Sequence, residues 1–223
     1  MKRSQVNKLI ERAICTLSEH QIMLPPFAYW TAAEWAQKGA ECDEIRQCKL
    51  GWDVTDFGTA DFEHIGLVVF TVRNGHHKIE PYTRKKYAEK ILVIQENQHT
   101  PMHCHAIKTE DIICKSGGNL LIKVYNRAPD GTLDTTEIGV SLDGVRHRVQ
   151  PGHTFALTPG QSITLTPYLM HEFWAEEGTG TSIVGEVSSV NDDEVDNVFF
   201  AAAGRFPHID EDVAATHLLC TEY

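Results

Sequence analysis

The order of hydrophobic and polar residues divides the chain into a helical start and a longer β-rich remainder. From Ser4 onward, apolar side chains recur at intervals of three and four residues, with charged side chains on the other side. This spacing predicts an amphipathic helix with Ser4 as its N-cap. Thr31 and Glu34 have the form of a capping box ahead of Trp35, which predicts a second, short helix.

Beyond Gly51 the chain consists of short β-rich runs separated by Gly, Pro and Asn. Many short strands at this interval favour an antiparallel sandwich or barrel of the jelly-roll type. The sequence contains no Gly-rich phosphate loop, βαβ alternation or internal repeat. The predicted strands cover residues 65–73, 88–95, 100–105, 110–115, 119–125, 140–142, 145–149, 153–157, 162–165, 171–175 and 181–188.

One stretch of these strands carries side chains that can bind a metal ion. His103 and His105 are two residues apart, so a strand would point both imidazoles to the same side, and Glu110 follows after a short turn. His171, far along the chain, is the best candidate for one more ligand. Imidazoles with one carboxylate suit manganese, iron, cobalt, nickel or zinc. We therefore predict one divalent cation in the barrel, although single histidines on strands are more often ordinary core or surface residues.

The composition limits the kinds of partner. A formal net charge of -11 and a pI near 5.5 argue against binding to nucleic acid or to an anionic membrane, because both are polyanions. The six cysteines include no Cys-x-x-Cys pair and are typical of reduced cytosolic thiols. No apolar run approaches the roughly eighteen residues of a membrane span. We expect a soluble, cytoplasmic protein with a small, neutral or cationic ligand.

The spacing His103-x-His105-x4-Glu110-x6-Gly117 is similar to the first sequence motif of the cupin superfamily. This resemblance implies a mainly β fold: a cupin-type double-stranded β-helix (jelly-roll) barrel with N-terminal helices and a metal at its centre. Residues 1–223 would form a single cupin domain. Its first part, 1–50, would be a helical segment packed on the barrel. Residues 51–223 would form the β-barrel and an ordered C-terminal tail.

The chain departs from the cupin pattern at two positions. The Gly that cupins usually place six residues before the first His is Asn97 here. The second motif, Pro167-x3-His171, lacks the usual Gly between its Pro and its His. Order along the chain favours His171 as the fourth ligand, and the competing histidines are His99, His147 and His153.

More narrowly, the whole chain resembles the D-lyxose isomerase family of metal-dependent cupin isomerases. The resemblance includes the segments Pro101-x-His103-x-His105-x2-Lys108-x-Glu110-Asp111, Pro167-x3-His171-x-Phe173 and Gly185-Glu186-Val187-Ser188. It implies interconversion of D-lyxose and D-xylulose, and also of D-mannose and D-fructose, through a metal-stabilised cis-enediol. It also implies one divalent metal per subunit, most often Mn2+, and a homodimer.

Two residues are candidates for the proton transfer. Glu186 lies in an otherwise apolar or small run, where an inward carboxylate would be desolvated and suited to act as a general base. An outward Glu at the barrel edge is the alternative, and the family resemblance favours the base. Lys108 would share a strand face with Glu110 and point towards the metal, and a solvated turn Lys is its alternative.

Further candidates could contact the sugar. Arg205, in a run of small residues, could bind sugar hydroxyls or pair with a carboxylate such as Asp193, and a structural ion pair is the competing interpretation. Trp52, Tyr82 and Phe173 could form an apolar wall for the C–H face of the sugar, but aromatic residues at strand spacing are more often plain core.

The visible ligand set serves one cation, whereas a hydride shift usually calls on two. The sequence therefore favours the enediol route. Two other functions fit a metal cupin. One is an oxygenase, since three His and one Glu also serve oxygen chemistry in that superfamily. The other is a non-catalytic sugar-binding module, although this chain keeps the ligands and has no basic helix pair.

Overall fold

A computed structural model describes residues 1–201, 204 and 206–223 of the chain. Among these residues the helices are α1 (Arg3–Glu19), α2 (Ala32–Trp35) and α3 (Asp43–Gln47), with short 3₁₀ helices at Pro26–Tyr29, Ala40–Cys42 and Tyr82–Arg84. None of the described helices combines the length and the apolar character needed to cross a membrane.

Helix α1 packs its apolar stripe on the outside of the barrel. Val6, Ile10, Ala13 and Leu17 are fully buried in an outer core against the barrel strands. Burial of each large aliphatic side chain stabilises the fold by about 1.5–3 kcal/mol, so this face fixes the helix in place. The predicted helix and its buried face are confirmed.

The predicted cap of α1 is wrong, whereas that of α2 is confirmed. Helix α1 begins one residue before Ser4, and the Ser4 hydroxyl donates to Asp212 Oδ2 at 2.7 Å instead. The predicted N-cap residue thus forms a hydrogen bond with the C-terminal tail instead of capping the helix. In α2, Thr31 Oγ1 accepts from the Glu34 amide and the Glu34 carboxylate accepts from the Thr31 amide, as a capping box requires.

The described strands form two antiparallel sheets. The larger sheet has the order β1-β2-β3-β12-β5-β10-β7-β8, and the smaller has the order β13-β4-β11-β6-β9. The strands are β1 (Gly51–Thr55), β2 (Leu67–Arg73), β3 (Tyr87–Ile94), β4 (His99–His105), β5 (Glu110–Gly117), β6 (Leu120–Asn126), β7 (Ile138–Leu142), β8 (Val145–Val149), β9 (Thr154–Leu157), β10 (Ser162–Leu165), β11 (Leu169–Ala175), β12 (Ser182–Ser189) and β13 (Asn197–Phe199).

The inward faces of the two sheets enclose the main core. Ile112 and Val184 of the larger sheet and Ile122 and Phe173 of the smaller sheet belong to one buried cluster. Alternate residues of each strand point inward, as the period of a β-strand requires. The predicted jelly-roll barrel with N-terminal helices is therefore confirmed.

The first and last strands were not predicted from the sequence. All five residues of β1 are buried, because one of its faces meets the outer core, so the polar alternation that marks a half-exposed strand is missing. Strand β13 is only three residues long and lies in a tail that looked irregular. It pairs with β4, placing Asn197 opposite His105 and Phe199 opposite His103.

Two residues near the predicted metal motif need a left-handed backbone. Gly117 has φ +79°, and a Cβ there would lie 2.1 Å from the Thr181 carbonyl oxygen, so only Gly fits. Asn97, at the position where cupins usually have Gly, has φ +57°. Asn tolerates this conformation better than most residues, so the departure from the motif keeps the turn that the motif needs.

Candidate active site

Two neighbouring strands bring three histidines together inside the barrel. His103 and His105 point inward from β4, and His171 on β11 lies directly across from His103. One ring nitrogen from each of the three lies within 4.8 Å of the others, and all three side chains are buried. His171 is therefore correctly placed to join the other two, despite its imperfect motif.

Hydrogen bonds fix the orientation of two of these rings. His103 Nδ1 lies 2.7 Å from the Pro101 carbonyl oxygen, and His171 Nδ1 lies 2.9 Å from the Leu169 carbonyl oxygen. Since a carbonyl only accepts, each Nδ1 carries the hydrogen and each Nε2 presents a lone pair. A backbone carbonyl that orients a ligating His in this way is common at metal sites.

The free lone pairs make the donor set suitable for a cation. His171 Nε2 is buried without a hydrogen-bond partner among the described residues. It lies 3.3 Å from Glu110 Oε1, and His105 Nε2 lies 3.2 Å from the same oxygen. The lone pair on His171 therefore faces a carboxylate, an arrangement that a positive charge between them stabilises. His103, His105, Glu110 and His171 thus fit a divalent metal.

The ionisation states also suit metal binding. Burial lowers the pKa of His103 well below its ordinary value, helped by the neighbouring imidazoles, and burial likewise lowers the pKa of His105. Burial alone would raise the pKa of Glu110, but the charge of Lys108 and the nearby His105 hold it well below its usual range. Neutral imidazoles and an ionised carboxylate are the forms that coordinate a cation.

Lys108 connects this cluster to a second buried carboxylate. Its Nζ lies 2.9 Å from Glu110 Oε2 and 2.8 Å from Glu186 Oε1, and it donates to Asn191 Oδ1 at 3.1 Å. The side chain is only 2% exposed. Burial would lower the pKa of Lys108, but Glu110 and Glu186 together raise it. Lys108 therefore points towards the histidine cluster and Glu110 as an ammonium ion rather than into solvent.

Glu186 points inward from the middle of β12, as predicted. It lies between Lys90 of β3 and Ile112 of β5 in the sheet register. Besides its bond to Lys108, its Oε1 lies 3.3 Å from the Nζ of Lys90. A buried carboxylate between two ammonium groups, beside the histidine cluster, can exchange protons with a ligand in the same pocket.

Sequence reasoning missed Lys90. This buried residue donates to Asn191 Oδ1 at 2.7 Å and lies 3.8 Å from Asp193 Oδ1. One signal was present in the sequence: Lys90 shares inward parity with Ala88 and Leu92, so a strand would bury it. The carboxylates that stabilise the buried ammonium group of Lys90 come from segments distant in sequence. No local pattern reveals such contacts.

Asp196 was missed for the same reason. This buried carboxylate accepts the backbone amide of Ile107 at 2.6 Å and that of Lys108 at 3.2 Å. It also lies 3.9 Å from His105 Nδ1. The C-terminal tail thus holds the turn that joins β4 to Glu110.

The pocket beside the histidines has a polar side and an apolar side. The polar side carries Lys90, Lys108, Glu110 and Glu186, and Asp193 and Asn197 border it. The apolar side chains that line the pocket are Leu67, Val69, Leu92, Ile112, Phe173 and Phe199. Phe173 and Asp193, two predicted site residues, therefore do reach the pocket.

Two other predicted residues are not brought to this pocket. Trp52 points outward from β1 into the outer core, where its Nε1 donates to the Ala28 carbonyl at 2.8 Å, so it lies away from this pocket. Tyr82 lies in a 3₁₀ helix and does not line the pocket either. Strand parity explains why the Trp52 side chain points outward, because Trp52 pairs with Phe70 of β2, which also points outward. Arg205 lies outside the described residues.

The competing histidines all lie elsewhere. His99 stacks on Trp174 with ring centroids 4.7 Å apart, and His153 packs against Phe155. His147 belongs to β8, an exposed strand at the end of the larger sheet. Among the histidines that the structure describes, His171 is thus the one that completes the cluster.

The buried histidines predict how stability depends on pH. In the metal-free protein, the folded-state pKa of His103 lies below the unfolded value of about 6.5. Below that pH the unfolded chain binds more protons, so stability falls as pH falls. Melting in chelator from pH 8 to 5 should therefore show that H103Q gains stability relative to wild type as pH falls. A stability difference between H103Q and wild type that does not change with pH would contradict this prediction. H147Q is the control, because His147 is exposed.

Comparison with solved structures shows the fold. L-ribose isomerase from Cellulomonas parahominis superimposes with a TM-score of 0.62 at 15% identity, over 94% of this chain and 98% of that one. L-ribose isomerase from Acinetobacter sp. DL28, solved in complex with L-ribose, gives 0.63 at 13% identity with the same coverage. These similarities confirm the predicted cupin-type barrel.

Sequence comparison goes further. The chain is 46% identical over 224 residues to a D-lyxose/D-mannose isomerase from Escherichia coli O157:H7, covering 100% of this chain and 98% of the relative. It is equally similar to a D-lyxose/D-mannose isomerase from Serratia proteamaculans. The family model described as D-lyxose isomerase matches residues 1–223. The chain therefore belongs to the D-lyxose isomerase family.

Proposed function

We propose that this protein is a metal-dependent aldose–ketose isomerase that interconverts D-lyxose and D-xylulose, and also D-mannose and D-fructose. The curated relatives bear the name D-lyxose/D-mannose isomerase, which supports this choice of sugars. The observation that carries the proposal is that Lys108 contacts both Glu110 of the metal-binding cluster and the buried Glu186. A candidate cation site and a candidate base thus face one pocket.

The proposed metal is one divalent ion per subunit, Mn2+ in preference to Zn2+, Co2+, Fe2+ or Ni2+. The residues that would hold it are His103, His105, Glu110 and His171. When bound, the cation supplies Lewis-acid polarisation of adjacent sugar oxygens. The nitrogen and oxygen donors of these four residues suit Mn2+, Zn2+, Co2+, Fe2+ and Ni2+ alike, so the choice of Mn2+ rests on the family resemblance.

In the proposed mechanism, Glu186 removes the proton from C2 of the aldose and returns it to C1, through a cis-enediol, while the proton of the O2 hydroxyl passes to O1. Lys108 holds the Glu186 carboxylate in place and donates hydrogen bonds where negative charge develops on the sugar oxygens. Lys90, on the other side of Glu186, adds a second fixed positive charge. The apolar wall containing Phe173 covers C–H groups of the sugar and keeps water away.

Asp193 and Arg205 complete the proposed set of catalytic residues. Asp193 lines the pocket and lies 3.8 Å from Lys90, where it can help to orient that ammonium group. Arg205 is retained from the sequence, as a cation that could bind sugar hydroxyls. We further propose a cytoplasmic homodimer, on the strength of the family resemblance, and light scattering of the purified protein measures the oligomeric state.

The enediol route predicts exchange with solvent. A carboxylic acid formed on Glu186 can exchange its proton before returning it, so isomerisation in D2O should place deuterium at C1 of the ketose. Nuclear magnetic resonance of D-xylulose formed from D-lyxose measures this incorporation. Product free of deuterium at early and late times, together with retained C2 label from [2-2H]-D-lyxose, would contradict the enediol route and support a hydride shift.

A panel of aldoses tests the function itself. Protein loaded with Mn2+ should form ketose from D-lyxose and D-mannose under anaerobic conditions. Turnover that requires oxygen would instead indicate an oxygenase. Binding without turnover would indicate a sugar-binding module, and the absence of turnover with every pentose and hexose would refute the isomerase.

A further inference from the structure

Thr100 carries a buried hydroxyl for which the described part of the chain provides no partner. The residue is 3% exposed, and its Oγ1 has no hydrogen-bond partner among the described residues. An unpaired buried hydroxyl is destabilising, and such groups are uncommon in native proteins. A valine would fill the same volume without that cost, so the hydroxyl calls for a partner outside the protein.

The position of Thr100 relates it to the metal-binding cluster. It lies on β4 and faces the pocket, like His103. His103 pairs with His171, whereas Thr100 pairs with Phe173, which is two residues further along β11. Two residues of a strand span roughly 7 Å. Thr100 therefore lies one inward position along the barrel from the paired His103 and His171, across an irregularity in the pairing of β4 with β11.

The surroundings of Thr100 are apolar. On its own sheet its neighbour in the pocket is Phe173, and the larger sheet contributes Leu67 and Val69 to the same lining. The charged groups of the site, Lys90 and Glu186, stand on the larger sheet. A ligand that extends from the histidines towards Thr100 would thus move away from Lys90 and Glu186. Near Thr100 it would meet apolar side chains and one polar atom, Thr100 Oγ1. The isolated Thr100 hydroxyl therefore determines which ligand hydroxyl can be buried in this apolar part of the pocket.

We propose that Thr100 is a specificity-determining residue that hydrogen-bonds a hydroxyl of the sugar away from the reacting C1 and C2. This proposal rests on the proposed isomerase function, because the ligand is taken to be a sugar whose reacting end lies near Glu186. The sugar hydroxyl supplies the partner that Thr100 lacks, and Thr100 replaces the water that the sugar hydroxyl loses on binding. Sugars without a hydroxyl at that position leave Thr100 unpaired and are selected against.

The test compares T100V with wild type on D-lyxose and on its 4-deoxy and 5-deoxy analogues. T100V should lower kcat/KM for D-lyxose by about 10- to 100-fold, because it leaves the sugar hydroxyl unpaired. One of the two analogues lacks the hydroxyl that Thr100 contacts. For that analogue, the kcat/KM values of wild type and T100V should agree within about twofold. T100S keeps the hydroxyl and should retain the wild-type preference for D-lyxose over that analogue.

A melting measurement separates this role from a structural one. Without sugar, T100V should melt at or above the wild-type temperature, since it removes an unpaired polar group. T164V is a control, because the Thr164 hydroxyl is already bonded to Asp111 on another face of the sheet, and it should leave sugar preference unchanged. If T100V melts lower and loses the same factor on all three sugars, Thr100 is structural and the proposal is overturned.

The outcomes also separate this proposal from the proposed function. If wild type converts D-lyxose and T100V does so equally well, the assignment of Thr100 fails while the isomerase stands. If wild type converts no sugar, the isomerase fails and the assignment fails with it.

Discussion

Replacing His105 with Ala should remove the bound metal and lower kcat/KM for D-lyxose by at least about a thousandfold. His105 supplies one of three imidazole donors in a buried cluster, and its Nε2 lies 3.2 Å from Glu110 Oε1. Loss of this ligand leaves too few donors to retain the ion, and a Lewis acid contributes several kcal/mol to a reaction that develops charge on oxygen. Elemental analysis of the purified variant and a ketose assay measure both effects.

A second histidine on the same strand provides the control. His99 belongs to β4 but stacks on Trp174 outside the cluster, so H99A should keep its metal and most of its activity. Retention of both metal and turnover by H105A would refute the proposed site. Loss of metal by H99A as well would indicate that any disturbance of β4 releases the ion.

The variant E186Q should keep its metal but lose about 10²- to 10⁴-fold in kcat, the usual contribution of a general base. Gln has the same shape and can still accept a hydrogen bond from Lys108, but it cannot take up the C2 proton. Glu186 is not one of the residues that would hold the ion, so the metal content should match wild type. Steady-state kinetics, elemental analysis and melting of the same preparation distinguish these effects.

Glu89 is a suitable control for Glu186. It lies on the adjacent strand β3 but faces outward, where it pairs with Arg73 at 2.8 Å. E89Q should therefore leave turnover within about twofold of wild type. An unchanged rate for E186Q would reduce Glu186 to a structural partner of Lys108, and another group would then have to act as the base.

Much of the fold follows from local patterns. The three- and four-residue spacing of Val6, Ile10 and Leu17 predicted the outer helix, and the turn residues between short apolar runs predicted the barrel. Strand β1 escaped prediction because it is buried on both faces. Its parity sends Trp52 outward, so an aromatic residue that looked available for sugar contact belongs to the outer core.

The site was predictable where its residues are close in sequence. His103, His105, Lys108 and Glu110 lie within eight positions, and strand parity was enough to predict that the two histidines share one side of β4. Lys108 precedes β5, so its inward position comes from the turn and not from a strand. The residues that were missed depend on contacts across the barrel. Lys90 is buried among carboxylates and an amide from segments about a hundred residues away, and only the pairing of β3 with β12 brings them together.

The central claim is that a resident divalent metal and Glu186 together catalyse aldose–ketose isomerisation. Its most direct test follows [2-13C]-D-lyxose by 13C nuclear magnetic resonance with protein that has been stripped by chelator and then reloaded with Mn2+. The account predicts a D-xylulose carbonyl signal at C2 that grows to equilibrium with reloaded wild type, and no such signal with stripped protein or reloaded E186Q. Equal rates for stripped and reloaded protein, or for wild type and E186Q, would contradict it.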